Sequence, residues 1–198
     1  MTSYLSKGHT EPSDVEILNE WGIHMNAATT RRRTHCIWIP PTISQVKLNT
    51  DGAARGNPGP GGFGVSFRYH NGNFLYVMGG GLGNTTCYLA ECTTIVEGVE
   101  AALSRGWNNL WVESDSSAAV TTANSLSMPW ELLNIWKLCS RACASLRVTH
   151  TWREANQAAD IIAKRASRLV NNEIIFCNGR PPWIYKWEVP YNLYVRHV

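Results

Sequence analysis

Five residues of this chain are best suited to chemistry: Asp51, Glu91, Asp115, Asp160 and His150. Each acid stands where the hydrophobic pattern changes. Asp51 ends an alternating run in which Val46, Leu48 and Thr50 oppose Lys47 and Asn49, the period of a strand. Glu91 falls in the first turn of a helical pattern from Tyr88 to Arg105. Asp115 follows the short apolar run Leu110 to Val112, and Asp160 lies in the first turn of a helical pattern that opens at Asn156. In an open α/β sheet, strand ends and helix starts meet at one edge, where ligands bind. Carboxylates gathered there would repel one another unless cations neutralised them. Oxygen-only ligands on rigid elements suit Mg²⁺, with Mn²⁺ able to take its place. Two such ions about 4 Å apart can hold both the attacking water and the leaving oxygen of a phosphodiester. Taken singly, the acids also have structural readings. Glu91 and Asp160 could complement helix dipoles, and Asp115 could cap the helix after it. His150 could be a strand histidine facing solvent.

The elements that must position these residues follow from the periodicity. The stretch VKLNTDGAARGNPGPGGFG begins as a strand, passes through a turn with glycines at 52, 56, 59, 61 and 62, and re-enters extended structure at Phe63. Such a turn lets backbone come close to a ligand. Residues 61–69 and 73–80 are two more strands, joined by His70-Asn71-Gly72, a strong hairpin signal. The first helix carries Cys92, Ile95, Val96, Val99 and Ala102 on one stripe and stops at Gly106. A helix capped by Ser116 follows the Leu110–Val112 strand, and another starts near Pro129. Leu146 to Trp152 reads as the last strand, and Asn156 as the cap of the last helix. Three strands, helix, strand, two helices, strand, helix predict an α/β fold: a mixed five-stranded sheet with three antiparallel strands, further parallel strands, and helices on both faces.

The length of 198 residues fits one domain with extensions. Residues 1–45 read as a partly irregular N-terminal extension, 46–169 as the domain and 170–198 as an aromatic, proline-bearing tail without chemistry of its own. Val15, Ile17 and Leu18 could start a short helix, and Arg31, Arg32 and Arg33 could tether nucleic acid or direct nuclear import, against the plainer reading of a solvated linker. The six cysteines have no Cys-x-x-Cys pair and no zinc spacing. They read as reduced thiols of an intracellular protein, with nucleus and cytoplasm both open. No apolar run nears the ~20 residues of a membrane span, and the N-terminus lacks the apolar core of a secretory signal. From Val46 to Arg168 there are 11 Lys and Arg against 9 Asp and Glu. Setting aside the four candidate acids leaves +6 there, a balance suited to a surface that meets phosphates.

TDGAARGNPGPGGFG, LAEC, VESDS and THTWREANQAAD occur in the order and near the spacing used by the ribonuclease H-like superfamily, over roughly residues 46–168. The Ala-Glu on the first helix and REANQAADIIAK near the end are most similar to the reverse-transcriptase-like type 1 ribonuclease H domains abundant in plants, the retroelement group. This resemblance implies a nuclease that cuts the RNA strand of an RNA/DNA hybrid, with Asp51, Glu91, Asp115 and Asp160 as ligands of two Mg²⁺ ions. It implies that His150, ten residues before Asp160, assists proton transfer or product departure, a role for a group titrating near neutrality. It places Gly52, Asn57 and Ser117 at substrate-contact positions, and the RNA 2′-hydroxyl as the group that distinguishes RNA from DNA. The expected partner is an RNA/DNA hybrid, with no membrane, and the expected state is a monomer.

The chain also departs from that pattern. Cys87 and Tyr88 occupy the approach to Glu91, where the family places Asn or another polar residue. Ser117 replaces a common Gln, and only Ser125 to Trp130 stands where some members insert a basic helix. The catalytic set is complete and the substrate-holding set thinner. An alternative is therefore a retroelement remnant that binds nucleic acid with weak or no turnover. A third reading is another enzyme of the same superfold, a 3′–5′ exonuclease or an integrase; the exonucleases carry Asp-x-Glu on the first strand, and here Gly52-Ala53 follows Asp51, which disfavours it.

Overall fold

The computed structural model describes residues 33–184 and 189–197, together with Ile17, Glu20 and Trp21. Ile17 and Glu20 are helical. Val15, Leu18, Arg31, Arg32, Tyr185 and Trp187, which carry part of the expected helix, tether and tail, lie outside the described residues. The elements below belong to the unit Thr34–Arg196, save one residue at the start of β1 and one at the end of β8.

Strand β1 (Arg33–Ile37) pairs with β8 (Leu193–His197) in a two-stranded sheet. The main sheet is built on β2 (Val46–Ala54), β3 (Gly59–Arg68) and β4 (Phe74–Thr85), the antiparallel meander that the alternation predicts. Helix α1 (Cys87–Leu103) then crosses over to β5 (Asn109–Ser114), which pairs parallel with β2. Helices α2 (Ser117–Asn124) and α3 (Trp130–Ala142) lead to β6 (Ser145–His150), parallel to β5. A 3₁₀ turn (Arg153–Ala155) precedes α4 (Gln157–Ala166). Among the described residues the main sheet has six strands rather than five. β7 (Ile174–Asn178), from the region expected to be a tail, pairs antiparallel with β4, giving the order β6-β5-β2-β3-β4-β7.

Helix α1 covers one face of β2 and β3 and packs on α2 and α3. Leu48, Val65, Phe67, Leu110 and Val112 meet Ile95, Val99 and Trp136 there, in the largest apolar cluster. Helix α4 lies on the opposite face, against β2, β3 and β4. Apart from Ile162, its inward apolar residues are small: Ala158, Ala159, Ala163 and Ala166 are buried. They meet a sheet surface stripped of side chains. A Cβ on Gly64 would lie 2.6 Å from the Ala159 carbonyl oxygen and closer still to the Ala163 nitrogen. Gly64 is the register partner of Asp51, so this close approach is what brings Asp160, in the first turn of α4, to the Asp51 end of the sheet. Gly64→Ala is expected to destabilise the domain by about 1–3 kcal/mol, since backbone must move to admit the methyl. Urea unfolding measures this. An unchanged midpoint would mean that α4 does not need the missing side chain.

Candidate active site

Asp51 lies inside β2, which runs three residues beyond it, at the point where parallel pairing with β5 stops after Thr50 and Ser114. Glu91 is the fifth residue of α1. The sequence placed it in the first turn, but that turn carries no acid, so Glu91 does not serve the helix dipole. Two hydrogen bonds hold its helix start. Thr86 Oγ1 accepts from the Leu89 N–H at 3.2 Å, and Asn57 Oδ1 accepts from the Cys87 N–H at 3.1 Å. Asp115 follows β5 directly. The cap of α2 is Ser116, whose hydroxyl accepts from the Ala119 N–H, so Asp115 is not spent on capping.

These three acids come together. One carboxylate oxygen each of Asp51, Glu91 and Asp115 lie within 4.8 Å of one another. Asp51 is 2% exposed, and Glu91 and Asp115 are half-buried. Burial, then the charges of Glu91, Asp115 and Asp160, hold the Asp51 carboxyl well above its ordinary range. Burial, then Asp115, pushes Glu91 up to about 8, against the donation of a backbone N–H by Gly52. Among the described residues, Asp51 Oδ1, Glu91 Oε2 and Asp160 Oδ1 are buried without a hydrogen-bond partner. Buried oxygens of this kind normally find one. Crowded acids with orphaned oxygens fit a divalent cation.

Asp160 is set slightly apart. Lys164 Nζ lies 2.7 Å from its Oδ2, and the Arg153 guanidinium lies 3.8 Å from Oδ1 and 3.3 Å from Asp115. Arg153 therefore bridges the two acids. Gly52 sits beneath α1, where a Cβ would lie 2.7 Å from the Ala90 carbonyl oxygen, so its lack of a side chain brings Glu91 against β2.

Cavities flank the acids. One, of about 510 Å³, is lined by Glu91, Asp115, His150, Tyr88, Trp152 and Arg153 among others, with the rings of His150 and Trp152 edge-to-face at 5.1 Å. A second, of about 410 Å³, holds Asp51, Gly52 and Asp160 beside Arg55, Lys164 and Arg168. Ser116 and Ala118 contribute to the first wall, while Ser117 is exposed outside it. Asn57 is exposed, with its side-chain oxygen engaged by α1.

Asn156 was expected to cap α4. It occupies the cap position, yet its side chain makes no cap hydrogen bond. Fully buried, it donates to the Thr50 carbonyl at 2.9 Å and to Asp115 Oδ1 at 3.4 Å, and accepts from Asn49 Nδ2 at 3.2 Å. Neither Arg153 nor Asn156 was assigned a site role from the sequence, although both lie inside the quoted run WREANQAAD. Behind Asn49, Lys47 pairs with Glu113 at 2.8 Å, and burial pushes the Lys47 ammonium down to about 8 against the pull of that carboxylate.

The raised Glu91 gives a pH dependence for the metal-free protein. A carboxyl whose folded pKa exceeds its unfolded value stabilises the fold below the unfolded value, here 4.5, and loses that contribution as pH rises through about 8. In chelator, wild type should lose thermal stability relative to Glu91→Gln between pH 4.5 and 8. A Tm gap independent of pH would contradict it.

Fold and site together define a mixed-sheet α/β domain that gathers buried and half-buried carboxylates where parallel strands end, a centre able to take divalent cations. A family model described as reverse transcriptase-like matches residues 49–166, and the chain belongs to that family. A ribonuclease HI of Neisseria meningitidis serogroup B is 30% identical over 142 residues, covering 62% of this chain and 94% of that protein. An Arabidopsis thaliana protein that carries the ribonuclease H name is 30% identical over 171 residues, 78% of this chain, and this chain spans only 27% of its length. Among solved structures, LC11-RNase H1 in complex with RNA/DNA hybrid superposes with a TM-score of 0.54 and 26% identity, covering 62% of this chain and 96% of that one.

Proposed function

We propose that this domain is a metal-dependent endonuclease that hydrolyses the RNA strand of RNA/DNA hybrids. The convergence of Asp51, Glu91 and Asp115 from three separate elements, with buried oxygens left unpartnered, carries the reading. The ribonuclease H relatives and the hybrid held by LC11-RNase H1 support the substrate class.

Asp51, Glu91 and Asp115 would hold two Mg²⁺ ions, with Asp160 completing the set from the α4 side and Mn²⁺ able to substitute. Such ions supply charge neutralisation at the scissile phosphate and an acidified water as nucleophile. The chain's own residues do the rest. Arg55, Lys164 and Arg168 line the second cavity, where cationic side chains can hold the phosphates flanking the cut. Gly52 lines the same cavity beside Asp51, where its backbone can meet the RNA, and Asn57 and Ser117 are exposed for further contacts. His150 lines the same cavity as Glu91 and Asp115 and would exchange a proton with the departing oxygen. The 2′-hydroxyl selects the RNA strand.

Incubation with an end-labelled RNA/DNA hybrid, beside matched duplex DNA and duplex RNA, tests this. The hybrid's RNA should be cut in Mg²⁺ and spared in chelator. Equal cutting of duplex DNA would overturn the reading.

A further inference from the structure

We propose that Trp38, which precedes the family-matched residues 49–166, is a positioning residue of the acidic centre. It acts along a hydrogen-bonded path from Trp38 through Asn49 and Asn156 to Asp115. This inference rests on the metal-site reading above.

The path has one polarity. An indole N–H can only donate, so the atom it meets must be an oxygen. Trp38 Nε1 donates to Asn49 Oδ1 at 2.9 Å. That turns the Asn49 amide nitrogen toward two acceptors, Glu113 Oε2 at 3.3 Å and Asn156 Oδ1 at 3.2 Å. The Asn156 nitrogen is left facing the Thr50 carbonyl and the Asp115 carboxylate. An amide can present oxygen or nitrogen at nearly the same place, and an oxygen facing Asp115 would repel it. The donor-only indole at one end, together with the Glu113 carboxylate and the Thr50 carbonyl that accept along the path, excludes that arrangement.

The path is also sealed. Trp38, Asn49 and Asn156 are each 0% exposed. The Trp38 ring lies under two cations, with Lys47 Nζ 4.7 Å and the Arg68 guanidinium 4.5 Å from its centroid. The Trp38 carbonyl accepts from the Tyr191 N–H at 3.2 Å, so the C-terminal segment holds the same residue in place. Water cannot replace the lost donor without entering this cluster. Residues that orient metal ligands typically contribute about 10–100-fold to metal affinity, and Trp38 acts through two intermediaries, so the low end applies.

Mn²⁺ binding to the full chain, read by titration calorimetry and by the spectrum of free Mn²⁺, tests the proposal without reference to turnover. Trp38→Phe keeps a ring and removes the donor. A benzothienylalanine placed at position 38 keeps the two-ring shape with sulfur in place of N–H and serves if the Phe variant does not fold. Either change should weaken Mn²⁺ affinity by about tenfold. Phe67→Leu, in the α1-side core and away from the path, lowers stability and should leave affinity unchanged. Affinity within twofold of wild type in the position-38 variants would overturn the role of Trp38, as would an equal loss in Phe67→Leu. Wild type that binds no Mn²⁺ would overturn the metal-site reading itself.

Discussion

Asp51→Asn is expected to lower cleavage of an RNA/DNA hybrid by at least about a hundredfold, the scale of losing a preorganised electrostatic group. The substitution keeps the shape of a side chain that is 2% exposed, so packing against α1 and β3 should survive. It removes the charge at the centre of the cluster, the one that faces Glu91, Asp115 and Asp160 together. The same repulsion makes a second expectation inseparable from the first. Without metal, the variant should melt at least as high as wild type, because one of the crowded acids can no longer ionise. Loss of turnover with retained or raised Tm separates a catalytic role from a folding defect. Wild-type-like turnover in the variant, with contaminating nuclease excluded, would refute the assignment of Asp51.

Asn156→Ala should cost about 3 kcal/mol, a fall of about 10 °C in Tm for a domain of this size. Its amide serves the Thr50 carbonyl, Asn49 and Asp115 at once, in a place that water does not reach. Truncation takes a donor from the buried Thr50 carbonyl and leaves the Asn49 amide nitrogen with Glu113 alone, and orphaned hydrogen-bonding capacity costs more than the bonds contributed. Thermal unfolding followed by circular dichroism measures the shift. A Tm within two degrees or so of wild type would mean that the Asn49 and Thr50 groups find other partners, at the scale expected for a surface substitution.

The sheet meander, the crossovers and the convergence of Asp51, Glu91 and Asp115 were legible because each rests on a local period and a junction. Alternation in VKLNTD marks a strand, a helical stripe marks α1, and the acids stand where these patterns change. Residues whose role depends on register between distant segments were not legible. Asn156 precedes a helix, so its sequence context reads as a cap, whereas its side chain meets Asn49, 107 residues away. Trp38 reads as linker because one aromatic residue carries no period, and its burial is set by Lys47 and Arg68 on neighbouring strands. β7 is five residues long within a segment rich in aromatics and prolines, too short for its alternation to stand out, and its place is set by the open edge of β4. The finer position of Glu91, one residue beyond the first turn, follows from where Thr86 caps α1, a boundary that the stripe alone does not fix.

The central claim is that carboxylates at this sheet edge use divalent cations to cut RNA within a hybrid. Its most direct test is a duplex in which one strand carries a run of ribonucleotides inside DNA, incubated with the purified chain and resolved to single nucleotides. In Mg²⁺ or Mn²⁺, cuts should fall within the ribonucleotide run alone, and Asp51→Asn or chelator should abolish them. Cuts in the flanking DNA, or an intact strand in both metals, would contradict the account.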